Sequence, residues 1–221
     1  MFWAEASRAF LLAFPALFSI VNPVGGALIF REATGDRSPQ ERAWIAGRVG
    51  IYSTLVMLGA LWVGTYALSF FGITLAALRI AGGLVIAVKA WELLSGPEHK
   101  TPPPAAQTEA PAGDAAAIAF FPLTMPLTTG PGTISVAIAF ASERPQGVLA
   151  LGGFFLGASL AALVLAVVIW GMYRSADRLI GFLGPTGVAT LSRLIAFVLL
   201  CIGTQITIDG VQGTLRPVFS P

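Results

Sequence analysis

The sequence predicts an all-α membrane protein: six transmembrane helices arranged as two inverted three-helix repeats, with helices one and four broken in mid-span. Three observations carry that expectation. The 221-residue chain is 56% hydrophobic and 11% charged, with a mean hydropathy of +0.81, whereas soluble domains hold about 25% charged residues. Four uncharged runs, 9–30, 49–78, 115–142 and 145–173, each exceed the ~20 residues that cross a hydrocarbon core as a helix. The first and the third of these runs each contain a Pro/Gly cluster.

The run 9–30 reads Phe14-Pro15 and then Asn22-Pro23-Val24-Gly25-Gly26. Pro23 has no N–H and clashes with the carbonyl four residues back. Asn favours the N-cap and Pro the first helical position. The expected product is one half-helix ending near Val21 and a second starting at Pro23. The N-terminus has no strong basic region or small-residue cleavage site, so this run reads as a retained span.

The run 49–78 supplies span two. Span three, 72–94, is apolar but holds Arg79, Lys89 and Glu92. Lys89 and Glu92 are expected to pair on one helix face, and Arg79 to anchor in the headgroups by reaching the interface. The stretch 95–114 is rich in Pro, Ala and polar residues and includes His99. Such composition does not bury enough surface to offset ordering entropy, so it reads as a flexible cytoplasmic linker between two repeats, 1–94 and 115–221.

Span four repeats the device of span one. Residues 121–135 hold Pro122, Pro126, Pro131, Gly130 and Gly132, together with the hydroxyls of Thr124, Thr128, Thr129, Thr133 and Ser135. Irregular backbone at membrane depth survives only where protein or a wet cavity surrounds it. Run 145–173 is span five. Span six, 187–210, holds Arg193, which parallels Arg79 as a headgroup anchor; Cys201, a small hydrophobe; Gln205, a cavity candidate; and Asp209, a solvated terminus.

The two halves share landmarks. Pro23 follows Pro15 by eight residues and Pro131 follows Pro122 by nine; Arg79-Ile-Ala-Gly-Gly matches Arg193-Leu-Ile-Ala. Each half has an odd number of spans, so the second enters the membrane upside down, as in many secondary transporters. Loops after spans one, three and five hold Arg31, Arg37, Arg42, Arg48, Lys100, Arg174 and Arg178. The other side holds Arg8, Arg79, Arg144 and Arg216. That bias puts both termini outside the cytoplasm.

In this arrangement, two half-helix N-termini point inward from opposite faces. Each carries about half a positive charge and N–H donors, which suits a carboxylate. Asn22, Pro23, Gly25, Gly26, Thr124, Thr128, Thr129, Gly130, Gly132, Thr133 and Ser135, with Ser19, are the candidate substrate-binding residues for a small zwitterion. In the competing reading, Pro and Gly only kink helices and small residues only serve packing. It fits any one position as well, but accounts less well for two clusters at matching places. The net charge of +2 argues against nucleic acid. No HExxH, Cys/His metal set or nucleophile–base pair marks an enzyme, and no cofactor is expected. No Asp or Glu falls in mid-span, so a proton relay has no obvious carrier.

The patterns Phe18-x-x-x-Asn22-Pro23-x-Gly25, Pro122-Leu-Thr…Gly130-Pro-Gly-Thr-Ile-Ser135 and the terminal Asp209-Gly210 resemble the MarC family, also described as a six-span neutral amino acid transporter family. The resemblance covers nearly the whole chain. It implies a prokaryotic inner-membrane protein and, for some relatives, transport of small neutral amino acids such as glycine, alanine and serine. H+ or Na+ as coupling ion and a second copy of the chain are the further partners allowed for. An exporter of amino acids or drugs and a non-transporting membrane scaffold are the alternatives.

Overall fold

The chain was analysed as a computed structural model that describes residues 2–95 and 115–219. The expected linker lies outside the described residues, except Ser95, which still belongs to a helix. The side chain of Lys89, and so its expected pairing with Glu92, is also outside them.

All regular structure among the described residues is helical: α1 (Phe2–Val21), α2 (Pro23–Ala33), α3 (Pro39–Phe70), α4 (Leu75–Ser95), α5 (Ala115–Ile118), α6 (Pro131–Ser142), α7 (Val148–Arg174) and α8 (Ala176–Phe219). A wide-turned stretch, Ala119–Thr128, continues α5. Helix starts follow local chemistry. Ser38 caps α3 through a reciprocal box, its hydroxyl accepting from the Glu41 N–H and its own N–H donating to the Glu41 carboxylate. Such boxes satisfy two donors that the helix start leaves without partners.

Among the described residues, four stretches are long and apolar enough to cross a membrane: Phe2–Ala33, Pro39–Phe70, Val148–Arg174 and Ala196–Leu215. The other two expected spans fold differently in length or composition. Helix α4 carries three charged residues, and span four is divided into Ala115–Thr128 and Pro131–Ser142. The first helix also begins at Phe2 instead of Ala9, enclosing Arg8. Span six does not end at Asp209: Gln205 donates to the Asp209 carboxylate at 2.8 Å and the helix runs on to Phe219. Helix α8 is interrupted instead at Gly184 (φ 64, ψ 172), a conformation only glycine adopts without strain. Gly72, with φ 65, does the same work in the turn before α4.

Two helix pairs form the tightest seams, α1 with α7 and α4 with α8. Both are built from small residues. A methyl on Gly157 would meet the Ala6 carbonyl oxygen at 2.1 Å, and one on Gly203 would meet the Gly83 carbonyl oxygen at 2.8 Å. In a bilayer there is no hydrophobic drive between helices, so close backbone approach through small residues supplies the dispersion contact instead. Helix α3 packs across α7, α6 and the wide-turned stretch.

Ion pairs group the connections at opposite ends of α3. Near its start, Asp177 of α8 accepts from Arg31 of α2 and, at 2.8 Å, from Arg42 of α3. Near its end, Arg144 lies over the Tyr66 ring and Arg79 of α4 pairs with Glu143 at 3.6 Å. Arg79 is therefore an ion-pair partner and not merely a headgroup anchor. Burial pushes the Asp177 carboxyl up, but the hydrogen bonds from Arg31 and Arg42 outweigh it and hold it below its ordinary range. It stays ionised through neutral and mildly acidic pH; any stability from the cluster is lost only as pH falls through that lowered value.

Replacing Gly157 with Ala drives a methyl into the Ala6 backbone, which cannot step aside as a side-chain tip can. The expected loss is about 1–3 kcal/mol, read as a fall in melting temperature of the detergent-purified protein. Gly171→Ala, at a position with nothing within 4 Å of the new methyl, should not show it.

Candidate functional site

The first interruption is built by Asn22. Its backbone sits in the left-handed region (φ 49, ψ 67), and its side-chain oxygen accepts from the Gly25 N–H at 3.2 Å. Asn tolerates this conformation better than other non-glycine residues because its short amide bonds locally. The Asn22 carbonyl takes the Gly26 N–H at 2.9 Å, and Pro23 has no N–H to offer. Of the first-turn amides of α2, Val24 alone stands outside these bonds. The expected half-helix break between Val21 and Pro23 is present, but much of its donor capacity is used by Asn22 itself.

The second interruption is more extensive. The backbone turns extended at Phe121 (φ −126, ψ 123) and Met125 (φ −111, ψ 120), so a regular ladder of bonds four residues back cannot form. Threonine hydroxyls serve the backbone here. Thr124 donates to the Ala119 carbonyl at 2.7 Å, Thr128 to Leu123 at 2.6 Å, Thr129 to Thr124 at 3.3 Å and Thr133 to Thr128 at 3.5 Å. Each reaches five residues back, one more than the usual threonine back-bond in a regular helix. These hydroxyls are buried and their protons are committed, so they can offer a ligand lone pairs at most. Ser135 is buried against α4, donating to the Leu78 carbonyl at 3.4 Å beside Gly82; its place is in helix packing.

The start of α6 is barer. Gly130 (φ −78, ψ −172) makes no side-chain cap, and Pro131 follows at the first position. Gly130 has no room for a methyl, which would lie 2.4 Å from the Pro126 carbonyl oxygen. With no cap side chain, the Gly132 and Thr133 amides keep the character of a helix N-terminus, suited to negative charge.

The two interruptions meet through residues that the sequence did not single out. Tyr173 of α7 is 3% exposed, and its hydroxyl hydrogen-bonds Thr128 at 2.8 Å. Its ring stacks on Phe30 of α2 with centroids 4.9 Å apart. A methyl on Gly26 would stand 2.3 Å from the same hydroxyl. Tyr173 thus touches α2 on one side and the wide-turned stretch on the other. A second approach joins α1 to α6: a methyl on Gly132 would lie 2.4 Å from Ile86 of α4 and 3.7 Å from Ile20 of α1. A cavity of about 260 Å³, open to the outside at the more than half-exposed Leu194 and Val198, lies beside the first break, lined by Phe18, Ser19, Asn22, Leu194, Val198 and Leu199. Asn22 and Ser19 are its polar walls and α8 supplies the apolar one. The threonines and Ser135 do not line it. It is just below the size range of typical ligand pockets, about 300–1,000 Å³, which limits an occupant to a small molecule.

A MarC family integral membrane protein model matches residues 7–215. An inner membrane protein called UPF0056 inner membrane protein MarC from Citrobacter koseri is 34% identical over 213 residues, covering 95% of this chain and 96% of the relative. Proteins of the same name from Salmonella typhimurium and Escherichia coli O1:K1 are 33% and 32% identical over the same shares. No solved structure matches the chain.

Tyr173→Phe removes the bond to Thr128 while keeping the ring on Phe30. Since the Thr128 hydroxyl retains Leu123, the expected loss is about 1 kcal/mol, or roughly 2–4 °C in melting temperature for a chain of this size. Gly26→Ala pushes a methyl into the Tyr173 hydroxyl and should lower the melting temperature further. Equal melting of both variants and wild type would remove Tyr173 as the bridge.

Proposed function

We propose that this chain, which belongs to the MarC family of integral membrane proteins, is a secondary transporter of small neutral amino acids. Its relatives are named inner membrane proteins and its helices include several long enough to span; it is a multi-pass inner membrane protein. The observation that carries the transport reading is the meeting of two broken helices, through Gly26–Tyr173–Thr128 and Ile20–Gly132, beside a small cavity walled by Asn22. Broken helices that face each other at membrane depth are where transporters bind substrate, with helix N-termini toward the carboxylate. The uncapped α6 start is the better carboxylate receptor, and the Asn22 amide suits the polar end of a zwitterion. H+ or Na+ is the proposed coupling ion.

The same reading takes the chain as six spans in two inverted repeats, 1–94 and 115–221, with both termini outside the cytoplasm. Two observations support it beyond the sequence landmarks. Gly72 and Gly184 have nearly the same positive φ, 65 and 64, and lie 112 residues apart, inside the range set by Pro23/Pro131 and Arg79/Arg193. The packing pattern also survives exchange of the halves. Helix α7 against α2 has its counterpart in α3 against α6, and α4 against α6 has its counterpart in α8 against α2. A scaffold protein would have no need for such paired breaks, and export of amino acids or drugs differs in direction only.

In liposomes, the purified protein should take up labelled alanine, glycine or serine when an H+ or Na+ gradient is imposed. Asn22→Leu and Gly132→Leu should abolish uptake. Asn22→Gly keeps the left-handed backbone but loses the amide, and should lower uptake at least tenfold with little change in melting temperature. Absence of uptake for every small amino acid with either ion would sink the reading.

A further inference from the structure

We propose that the corner between the end of α3, the start of α4 and the end of α6 is a binding site for a phosphate group at the membrane surface. A phospholipid headgroup and free phosphate present the same oxyanion. The site is separate from the cavity beside Asn22, and it requires that the chain span a membrane, not that it transport.

Close packing builds the corner. A methyl on Gly64 of α3 would stand 2.3 Å from Ile138 of α6, and one on Gly82 of α4 would stand 2.7 Å from Ser135. One turn past Gly64 comes Leu68, one turn past Ile138 comes Ser142, and two turns before Gly82 comes Leu75. These three line an open cavity of about 250 Å³ together with Thr65, Ser69 and Arg144. Its depth follows from α3. Arg48 lies over the Trp44 ring at 4.8 Å near one end of that helix, and Arg144 over the Tyr66 ring at 5.4 Å near the other. Both rings are exposed, and such aromatics gather where membrane meets water. They lie 22 residues apart, about 33 Å along a helix, which is close to the ~30 Å of a hydrocarbon core. The cavity beside Tyr66 is therefore at headgroup level.

The groups left without partners suit an oxyanion. The Thr65 hydroxyl oxygen is buried with no hydrogen bond, although Thr54 and Ser69 of the same helix each bond the carbonyl four residues back. Among the described residues only Ser53 shares that lack, and it lies 12 residues away, outside the cavity. Arg144 is exposed at the mouth and has no ion-pair partner among the described residues; its neighbour Glu143 pairs with Arg79 at 3.6 Å. At the start of α4 the Thr74 hydroxyl takes the Ala77 N–H at 3.1 Å, and no described bond takes those of Leu75 and Ala76. Carbonyls that could draw a cation instead are occupied: Thr65 by the Ser69 hydroxyl, Leu68 by the Ile73 N–H and Ile138 by the Ser142 hydroxyl. A guanidinium, an uncommitted hydroxyl and a helix N-terminus are the donors that a phosphate takes. Exposed Phe70, Phe71 and Ile73 at the adjoining turn give acyl chains an apolar bed, which favours a phospholipid as the source.

The test titrates delipidated protein in neutral detergent with dioleoylphosphatidylglycerol and reads the one-lipid species by native mass spectrometry. Arg144→Gln should weaken that binding about tenfold and Thr65→Val a few-fold. Thr65→Ser, which keeps the hydroxyl, and Arg48→Gln, at the opposite interface, should bind as wild type does. Thr65→Val has a second signature, because it removes a buried hydroxyl that lacks a partner until phosphate arrives. Without lipid it should melt at or above the wild-type temperature, and with lipid below it. Inorganic phosphate is the other arm of the thermal titration. Stabilisation by the lipid alone assigns the site to a headgroup; stabilisation by inorganic phosphate as well, lost in Arg144→Gln, assigns it to the oxyanion from either source. Lipid affinity unchanged in Arg144→Gln and Thr65→Val, or lowered as much by Arg48→Gln, would overturn the site. So would Thr65→Val melting below wild type with and without lipid alike, since the hydroxyl would then serve packing.

Discussion

Between Ala119 and Thr133 the chain lacks backbone N–H groups at Pro122, Pro126 and Pro131 and turns extended at Phe121 and Met125. At membrane depth no water replaces the missing partners, so the chain must supply them itself. Four threonines do so, each by donating to a carbonyl five residues back. Much of the centre follows from that commitment. Thr128 remains able to accept a bond, and Tyr173 reaches it; the Tyr173 hydroxyl then stands where a side chain at position 26 would be, and Gly26 lets α2 come close. The glycine in the first broken helix is in this sense a consequence of the prolines in the other.

The same accounting separates the two helix starts that sequence symmetry makes look equivalent. Both cap carbonyls accept the N–H four residues on, Gly26 for Asn22 and Ile134 for Gly130, but Asn22 also turns its side-chain oxygen onto the Gly25 N–H. Gly130 has no side chain to turn back. On the transport reading a carboxylate therefore goes to α6, and α2 offers Asn22 as a neutral polar wall. An inverted repeat with two identical anion sites would bind a dianion as readily; an inverted repeat with one capped and one bare end favours a zwitterion.

What the sequence made legible was local. Asn22-Pro23 announces a helix stop and restart because both residues act through their own backbones. The interruption in the last long helix was missed, since Gly184-Pro185 lies upstream of the apolar run that drew attention and glycines are common throughout this chain. The helix end assigned to Asp209 was misplaced because Gln205 satisfies that carboxylate from within the helix. Tyr173 and Asp177 were not legible at all. Their partners are 45 and 135 or more residues away, and nothing periodic marks a tyrosine at the end of an apolar run. The threonines were recognised as unusual but given to a ligand, because composition counts hydroxyls without saying which carbonyls they serve.

Small residues decide which parts can move. Along the α4–α8 seam, methyls on Gly203 and Gly210 would stand 2.7 Å from the Ala87 nitrogen and 2.9 Å from the Ala76 carbonyl oxygen. Surfaces that close have no slack for sliding, since packed interfaces shift between discrete arrangements and do not deform continuously. The contact of α4 with the half-helix α6 is close in the same way: a methyl on Gly132 would lie 2.4 Å from Ile86, and one on Gly82 would lie 2.7 Å from the Ser135 Cβ, beside the Ser135 bond to the Leu78 carbonyl at 3.4 Å. The positive-φ glycines at 72 and 184 interrupt the chain outside the α4–α8 seam, in the turn before α4 and upstream of the part of α8 that packs on it.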